Sequence, residues 1–378
     1  MVVKILFICG TLELAKSGVG DYIFRLAGDL TKRGVHCACI GLHDPYVAPS
    51  DPEAGLGWEL DAVPMRRLSC QLPWSVRASW LQSVVADMRP DWISLQYVPY
   101  SFNRKGLPLG LFRCLAAVRT AACWELMAHE LWVSSEGGLR MRILSRLQRW
   151  ILSWLMEMLR PRVVHVSNYG YQRQLKSKGV DSRILPLFSN IPFVPLSNQT
   201  SKDSSVWVFV AFGSIHPDWS PEPLLQRIED ARKISGVARC QFVSIGNSGI
   251  HGANLWNALG SKSKLIYPAF EFIRLGEMNA VRISEELQCA DFGLAIAPSS
   301  IVGKSGAVAA MLAHGLPVIV SRLSPNCEAW HKSLKCSGRY ILMDAGFPAA
   351  LGAARMAPPS DCLEATTSQF IADLELAR

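Results

Sequence analysis

The 378 residues contain no C-x-x-C pair, no Cys/His quartet at zinc spacing, no G-x-S-x-G, no H-E-x-x-H and no D-x-D carboxylate pair. These absences remove support for structural zinc sites, serine-hydrolase and zincin chemistry, and metal-dependent sugar transfer. No stretch of 18 uncharged apolar residues occurs, so a membrane-spanning helix is not expected. A secretory leader is not expected either. Met1–Gly10 carries Lys4 inside a short apolar run, lacks a small-residue cleavage site and resembles a first strand. The sequon Asn198-Gln199-Thr200 therefore carries little weight. Eleven cysteines at irregular spacing, an odd number, are expected to be buried thiols of a protein in a reducing cytoplasm.

Charge is scarce, at 19 %, whereas 49 % of the residues are hydrophobic, which excludes disorder and coiled coil. The length implies two domains of roughly 150–200 residues. The net charge of +8 is not evenly spread. Residues 1–195 hold 23 Lys+Arg against 15 Asp+Glu, leaving 16 of each for the remainder, so an anionic partner of the first half is expected. Within it, Arg140, Arg142, Arg146, Arg149, Arg160 and Arg162 oppose only Glu157 and are interleaved with Trp150, Trp154, Leu, Ile and Met. Segment 140–162 can thus lie on an anionic membrane surface or be an ordinary domain helix with a solvated basic face. Nucleic-acid binding is not expected, because no RNA or DNA motif accompanies the basic residues.

Short apolar runs alternate with amphipathic stretches. Val2–Cys9, Val35–Leu42, Trp92–Gln96, Ala121–Ala128 and Val163–Val166 read as strands of one series. A second series runs through Val206–Phe212, Phe242–Ile245, Phe292–Ile296 and Pro317–Val320, with helical intervals at about 221–234, 278–288 and 304–314. The pattern is that of an α/β chain with two Rossmann-like, doubly wound parallel-sheet domains, which we expect to face a cleft. Residues 1–192 form the expected N-terminal domain. A polar, turn-rich linker at 193–205 precedes a second domain at 206–355, and a C-terminal helix within 356–378 follows.

Ligands of open parallel sheets bind beyond the carboxyl ends of the strands, so the loops there hold the candidate residues. Ser17-Gly18-Val19-Gly20 opens an amphipathic helix that closes on Lys32, Arg33 and Gly34, a phosphate-binding helix start or a mere tight turn. It fits a dinucleotide fingerprint poorly. The third glycine would fall on Ile23, and no acidic residue is evident after the second strand. His129, after the strand Ala121–Ala128, is placed to act as a base or to hydrogen-bond a sugar hydroxyl; alternatively it is simply polar, with Glu130 capping the next helix. Gly213, Ser214 and His216 follow the first strand of the second series, His216 being a weaker candidate than His129. Lys304-Ser305-Gly306 starts an Ala-rich helix that stops at Gly315-Leu316-Pro317; it is not a Walker loop, since no glycine precedes Gly303-Lys304 at the required distance. Asp291-Phe292-Gly293 matches a kinase triplet without its companion motifs.

Ser17-Gly18-Val19-Gly20, His129, Val166-Ser167-Asn168-Tyr169, Ala290-Asp291-Phe292-Gly293-Leu294 and Met311–Val318 together resemble the glycosyltransferases of the GT-B fold, in particular the family-4 group. The resemblance implies an enzyme of the hexosyltransferase class with an acceptor-binding first domain and a second domain that binds a nucleotide sugar. It implies transfer with retention and without a metal, so that no cofactor is needed beyond the nucleoside-diphosphate sugar as co-substrate. The acceptor would be a glycan, a lipid-linked intermediate or a small molecule. It further implies that Gly18 and Gly20 approach the donor diphosphate, that His129 contacts the transferred sugar, and that a helix at about 362–377 packs back on the first domain. Two departures stand out. The family's paired glutamates fall on Val302 and Ala310, and its usual Arg and Lys fall near Ser214 and Trp219. Lys304 is therefore expected to neutralise the leaving diphosphate, with His129 and Lys304 as the catalytic pair. Gly18, Gly20, Gly213, Ser214, His216, Lys304, Ser305 and Gly306 are the expected ligand contacts. A non-catalytic nucleotide- or sugar-binding protein on the same scaffold is the alternative, and a dinucleotide-dependent oxidoreductase comes third.

Overall fold

The computed structural model describes residues 3–13, 16–48, 58–60, 63–134, 138–196 and 203–377. The sequon at 198–200 and most of the loop between Asp44 and Leu60 lie outside them. The chain divides into two compact units, Met1–Pro186 with Leu363–Arg378, and Leu187–Cys362.

The first unit is an eight-stranded sheet of β1 Lys4–Cys9, β2 His36–Asp44, β3 Trp58–Leu60, β4 Val63–Ser69, β5 Trp92–Tyr97, β6 Cys123–Ala128, β7 Val163–Val166 and β8 Arg183–Ile184. Its order is β3-β4-β2-β1-β5-β6-β7-β8, and only the β3/β4 pair is antiparallel. Five of the six β1 side chains are buried, which is why this run reads so plainly as a central strand. Helix Gly18–Lys32 shows the same economy. Ser17 caps it by accepting from Gly20 N at 3.1 Å, Asp21 and Lys32 sit at the ends that suit their charge, and Ile23, Leu26 and Leu30 are fully buried. Each such leucine contributes about 2 kcal/mol by burial, so Leu26→Ala alone would loosen the helix from the sheet. The C-terminal helix Leu363–Leu376 belongs to this unit: Phe370 stacks on Phe7 of β1 at 6.1 Å, and Arg33 donates to Ser368 Oγ at 2.7 Å.

The second unit is a six-stranded parallel sheet in the order β11-β10-β9-β12-β13-β14. It comprises β9 Val206–Phe212, β10 Arg239–Ile245, β11 Phe270–Gly276, β12 Phe292–Ala295, β13 Val318–Val320 and β14 Tyr340–Leu342. Aromatic rings bind the first four together: Phe209 stacks on Phe242 at 4.9 Å and on Phe292 at 5.0 Å, and Phe242 on Phe272 at 4.7 Å.

Several expectations shift. The stretch expected to be a linker at 193–205 begins as part of the second unit: Val194 N donates to Ser284 Oγ at 2.9 Å, and Gln288 Nε2 donates to Val194 O at 2.7 Å. Residues 356–362 also belong to that unit, because Ala357 N donates to Gly315 O at 2.8 Å and Ser360 N to Ala313 O at 2.9 Å. None of the eleven cysteines is in a disulfide, but Cys289 and Cys336 are exposed rather than buried. Both stand at the last position of their helices, where the chain turns outward.

Candidate functional site

The strand orders reverse between β1 and β5 in the first unit and between β9 and β12 in the second, so the loops beyond these strands flank the switch points where α/β sheets take their ligands.

In the second unit a cavity of 420 Å³ occupies the switch point, lined among others by Gly213 and Ser214 after β9, Ile296 after β12, and Ser305, Gly306 and Ala307 at a helix start. Gly213 has φ +81°, a conformation that favours glycine, and donates to Ile245 O at 2.9 Å. A β-carbon there would meet only Ala307 Cβ, at 4.0 Å, so the glycine serves the backbone turn rather than tight packing. Ser305 caps helix Gly306–Ala313 by accepting from Val308 N at 3.3 Å. The cap leaves the N–H groups of Gly306 and Ala307 outside the helical ladder, beside the cavity. Lys304, half-buried, ends the 3-10 turn Ser299–Lys304 directly before the cap. Four expected residues, Gly213, Ser214, Ser305 and Gly306, thus share one cavity wall with Lys304 next in sequence. His216 is not among the lining residues; its exposed ring accepts from Asp218 N at 3.2 Å and lies 3.5 Å from the Asp218 carboxylate. Val302 and Ala310, where the resemblance would place glutamates, are 0 % and 1 % exposed inside the apolar core. A carboxylate at either position would have to enter that core.

In the first unit His129 follows β6, its backbone N–H donating to Tyr97 O at 3.1 Å. The ring packs edge-on against Tyr22 of helix Gly18–Lys32 at 5.0 Å, which brings the two sequence-derived candidates of this unit together. His129 Nε2 lies 2.8 Å from Gln96 Oε1. Burial lowers its pKa to about 3, so the imidazole is neutral at physiological pH. No helix starts directly after Glu130, which therefore does not cap one. Gly18 is exposed with open space around it, whereas Gly20 is buried, its N–H taken by Ser17, and a β-carbon there would meet Thr11 O at 3.2 Å. Gly18 is the glycine open to a ligand; Gly20 serves the packing of the helix on the β1 loop.

Asp44 was missed as a site feature, since β2 continues two residues beyond the expected Leu42 and ends on this carboxylate. Fully buried, it accepts from Thr11 Oγ1 at 2.7 Å, Leu12 N at 3.3 Å and Arg67 Nε at 2.8 Å, and Arg67 also pairs with Glu13. Burial raises its pKa and these bonds more than reverse that, leaving it below the usual carboxylate range. With every oxygen engaged by protein, Asp44 braces the β1 loop.

No group of three or more His, Cys, Asp or Glu suited to a metal stands together among the described residues, and no described helix is long and apolar enough to cross a membrane. No family model and no curated protein sequence matches the chain. Solved structures do. The chain is similar to a sucrose-phosphate synthase from Thermosynechococcus elongatus, with 14 % identity, TM-score 0.60 and 100 % of both chains covered. It is also similar to the catalytic domain of starch synthase IV from Arabidopsis thaliana bound to ADP and acarbose, with 11 % identity, TM-score 0.54 and coverage of 100 % and 99 %. A structure assigned as a UDP-N-acetylglucosamine 2-epimerase from Listeria monocytogenes matches with 10 % identity, TM-score 0.52 and coverage of 99 % and 96 %. At these identities the likeness shows the fold, the GT-B architecture of two parallel-sheet α/β units.

Proposed function

We propose that this protein is a glycosyltransferase that moves a sugar from a nucleoside-diphosphate sugar to a glycan, lipid-linked or small-molecule acceptor, with retention and without a metal. The observation that carries the reading is the cavity at the second unit's switch point, where the turn at Gly213 and Ser214 faces the backbone donors of the Gly306 helix start, with Lys304 just before that start in sequence. Such a wall suits a diphosphate, and the helix dipole adds favourable field to the lysine as negative charge builds on the leaving group. His129, neutral and buried at the end of β6, hydrogen-bonds or orients the sugar or its acceptor rather than donating charge.

The acceptor reading draws on helix Gly138–Leu159. Its outer face exposes Leu139, Ile143, Leu147, Trp150 and Trp154, with Arg140, Arg142 and Arg146 exposed beside them. Apolar and aromatic side chains flanked by arginines fit the headgroup layer of an anionic membrane, where lipid-linked acceptors reside. The protein is then a peripheral enzyme of the cytoplasmic membrane face. Binding to anionic vesicles that weakens with salt supports this surface; absence of binding at every salt concentration removes it.

A second reading is favoured by one feature, the burial of Val302 and Ala310 in apolar core, which leaves the donor sugar without the carboxylates that the resemblance expects. In that reading the scaffold binds a nucleotide sugar without turning it over. Incubation with a panel of nucleotide sugars and mixed acceptors, followed by mass detection of product, separates the two. Acceptor-dependent product, lost in Lys304→Ala, supports transfer; nucleotide-sugar binding without product supports the second reading.

A further inference from the structure

Four polar side chains interrupt the apolar strands β5, β6 and β7 on one face of the first sheet. Ser94 and Gln96 alternate on β5, Glu125 stands opposite Ser94 on β6, and His165 stands on β7 opposite Met127 of β6, on the same side. Ser94, Glu125 and His165 are fully buried and Gln96 is 1 % exposed. They form one unbroken chain. His129 Nε2 meets Gln96 Oε1 at 2.8 Å, Gln96 Nε2 meets Ser94 Oγ at 2.7 Å, and Ser94 Oγ meets Glu125 Oε2 at 2.5 Å. The other Glu125 oxygen lies 2.9 Å from His165 Nδ1, His165 Nε2 lies 3.0 Å from Asp373 Oδ2, and Arg183 Nη1 donates to Asp373 Oδ1 at 2.5 Å.

The chemistry of these groups sets the direction of every bond. A carboxylate only accepts, so His165, between two of them, donates from both nitrogens as an imidazolium. Burial would lower the pKa of His165, and the bonds to Asp373 and Glu125 more than reverse that. Ser94 has one hydroxyl hydrogen and gives it to Glu125. Its oxygen must then accept from the Gln96 amide, which turns Gln96 Oε1 toward His129. Flipping that amide would set two acceptors, Gln96 Oε1 and Ser94 Oγ, against each other in a buried site. His129 Nε2 is therefore the donor and Nδ1 the acceptor, and Nδ1 makes no hydrogen bond among the described residues, in a residue that is 9 % exposed.

We propose that Glu125 is a positioning residue for His129: through Ser94 and Gln96 the buried carboxylate holds the imidazole as the Nε2–H tautomer and presents Nδ1 as an acceptor for a ligand hydroxyl. The role assigned to His129 rests on the glycosyl-transfer reading, whereas the tautomer is a property of the free protein and is measured without turnover.

The test is long-range ¹H–¹⁵N NMR on protein labelled at histidine, with His129→Gln to assign the signal. In the wild type His129 is expected as Nε2–H by at least tenfold, unchanged from pH 5 to 8. Ser94→Ala cuts the chain and frees the Gln96 amide, so the two tautomers should come within a fewfold of each other. Ser94→Thr keeps the hydroxyl and should restore the wild-type signal. Glu125→Gln can donate to Ser94 and reverse the chain, shifting His129 toward Nδ1–H. A wild-type ring protonated on Nδ1 would overturn the proposal, as would a Ser94→Ala signal identical to that of the wild type. Loss of the transfer reading with these signals as expected would leave the relay intact and change only what Nδ1 binds.

Discussion

The two sheets share a parallel, doubly wound topology and fill their interiors in opposite ways. The second unit joins β9, β10, β11 and β12 through stacked phenylalanines, and its candidate site is made mainly of backbone at Gly213 and the Gly306 helix start. The first unit buries Ser94, Gln96, Glu125 and His165 between its strands, and its candidate site is a side chain, His129, at the end of that polar chain. A site made of backbone tolerates an apolar core beneath it, because the turn itself aims the donors. One made of an imidazole needs something beneath it to choose which nitrogen donates, and only polar groups can do that.

The largest expected effects test whether both interiors carry comparable stability by different physics. Phe242→Ala removes a fully buried ring and should cost about 3–5 kcal/mol in urea unfolding, nearly independent of pH. Glu125→Ala leaves His165 and Ser94 without their buried acceptor and should cost about 3–5 kcal/mol. A cost under about 1 kcal/mol for Glu125→Ala would mean that the polar chain is incidental to the first sheet.

Second in size is a pH dependence carried in the first unit by His165 and Asp373. The folded-state pKa of His165 is raised, so its contribution is complete below the ordinary histidine value of about 6.5 and lost as pH rises through the folded value. That of Asp373 is lowered, chiefly by its bond to His165, so its contribution is complete above the ordinary value of about 3.9 and lost as pH falls through the folded one. The triad that ties helix Leu363–Leu376 to the sheet is thus strongest between roughly pH 4 and 6.5. His43, held down to about 4, and His129, held down to about 3, act oppositely and weaken the fold as pH falls below 6.5. The clean readout is the Tm difference between wild type and His165→Gln, which should narrow as pH rises above neutrality. A difference that widens instead contradicts the assigned charge.

Smaller still, Gly213→Ala forces a β-carbon into φ +81° and should cost about 1–2 kcal/mol although nothing crowds the added atom. Thermal melts would show it; no loss would mean that the β9 turn relaxes and that the backbone site is less rigid than described. Lys304→Ala should be the mildest, costing about 1 kcal/mol or less in denaturant unfolding. A larger loss would make Lys304 structural and weaken its assignment to a diphosphate.

The central strands were legible in the sequence because strands covered on both faces write a largely continuous apolar run. Val163–Val166 and Val206–Phe212 coincide with β7 and β9. The strands not anticipated lie toward the sheet margins. β4, VPMRRLS, carries a proline and two arginines, β11, FEFIRLG, exposes Glu271, and β14 has only three residues. Half-exposed margins mix polar and apolar residues and erase the run. For the site, the two helix starts were recognisable from Ser17-Gly18 and Ser305-Gly306, since capping and glycine have local signatures. The relay was hidden for the opposite reason. Ser94, Gln96 and Glu125 lie inside runs read as apolar strands, and which polar strand residues meet depends on register, which no single segment encodes. A serine, glutamine or glutamate inside a central parallel strand is the signal that could have exposed it.

The most direct test of the central claim is thermal stabilisation of wild type and Lys304→Ala by UDP, GDP, dTDP, ADP and CMP, with and without their sugars. A ligand at about a hundred times its Kd contributes roughly 2.7 kcal/mol, enough to raise Tm by a few degrees. The account predicts a selective rise with one nucleoside diphosphate and its sugar that is lost in Lys304→Ala. No rise with any nucleotide, or an equal rise in the variant, would contradict the assignment of the second unit's cavity to a diphosphate.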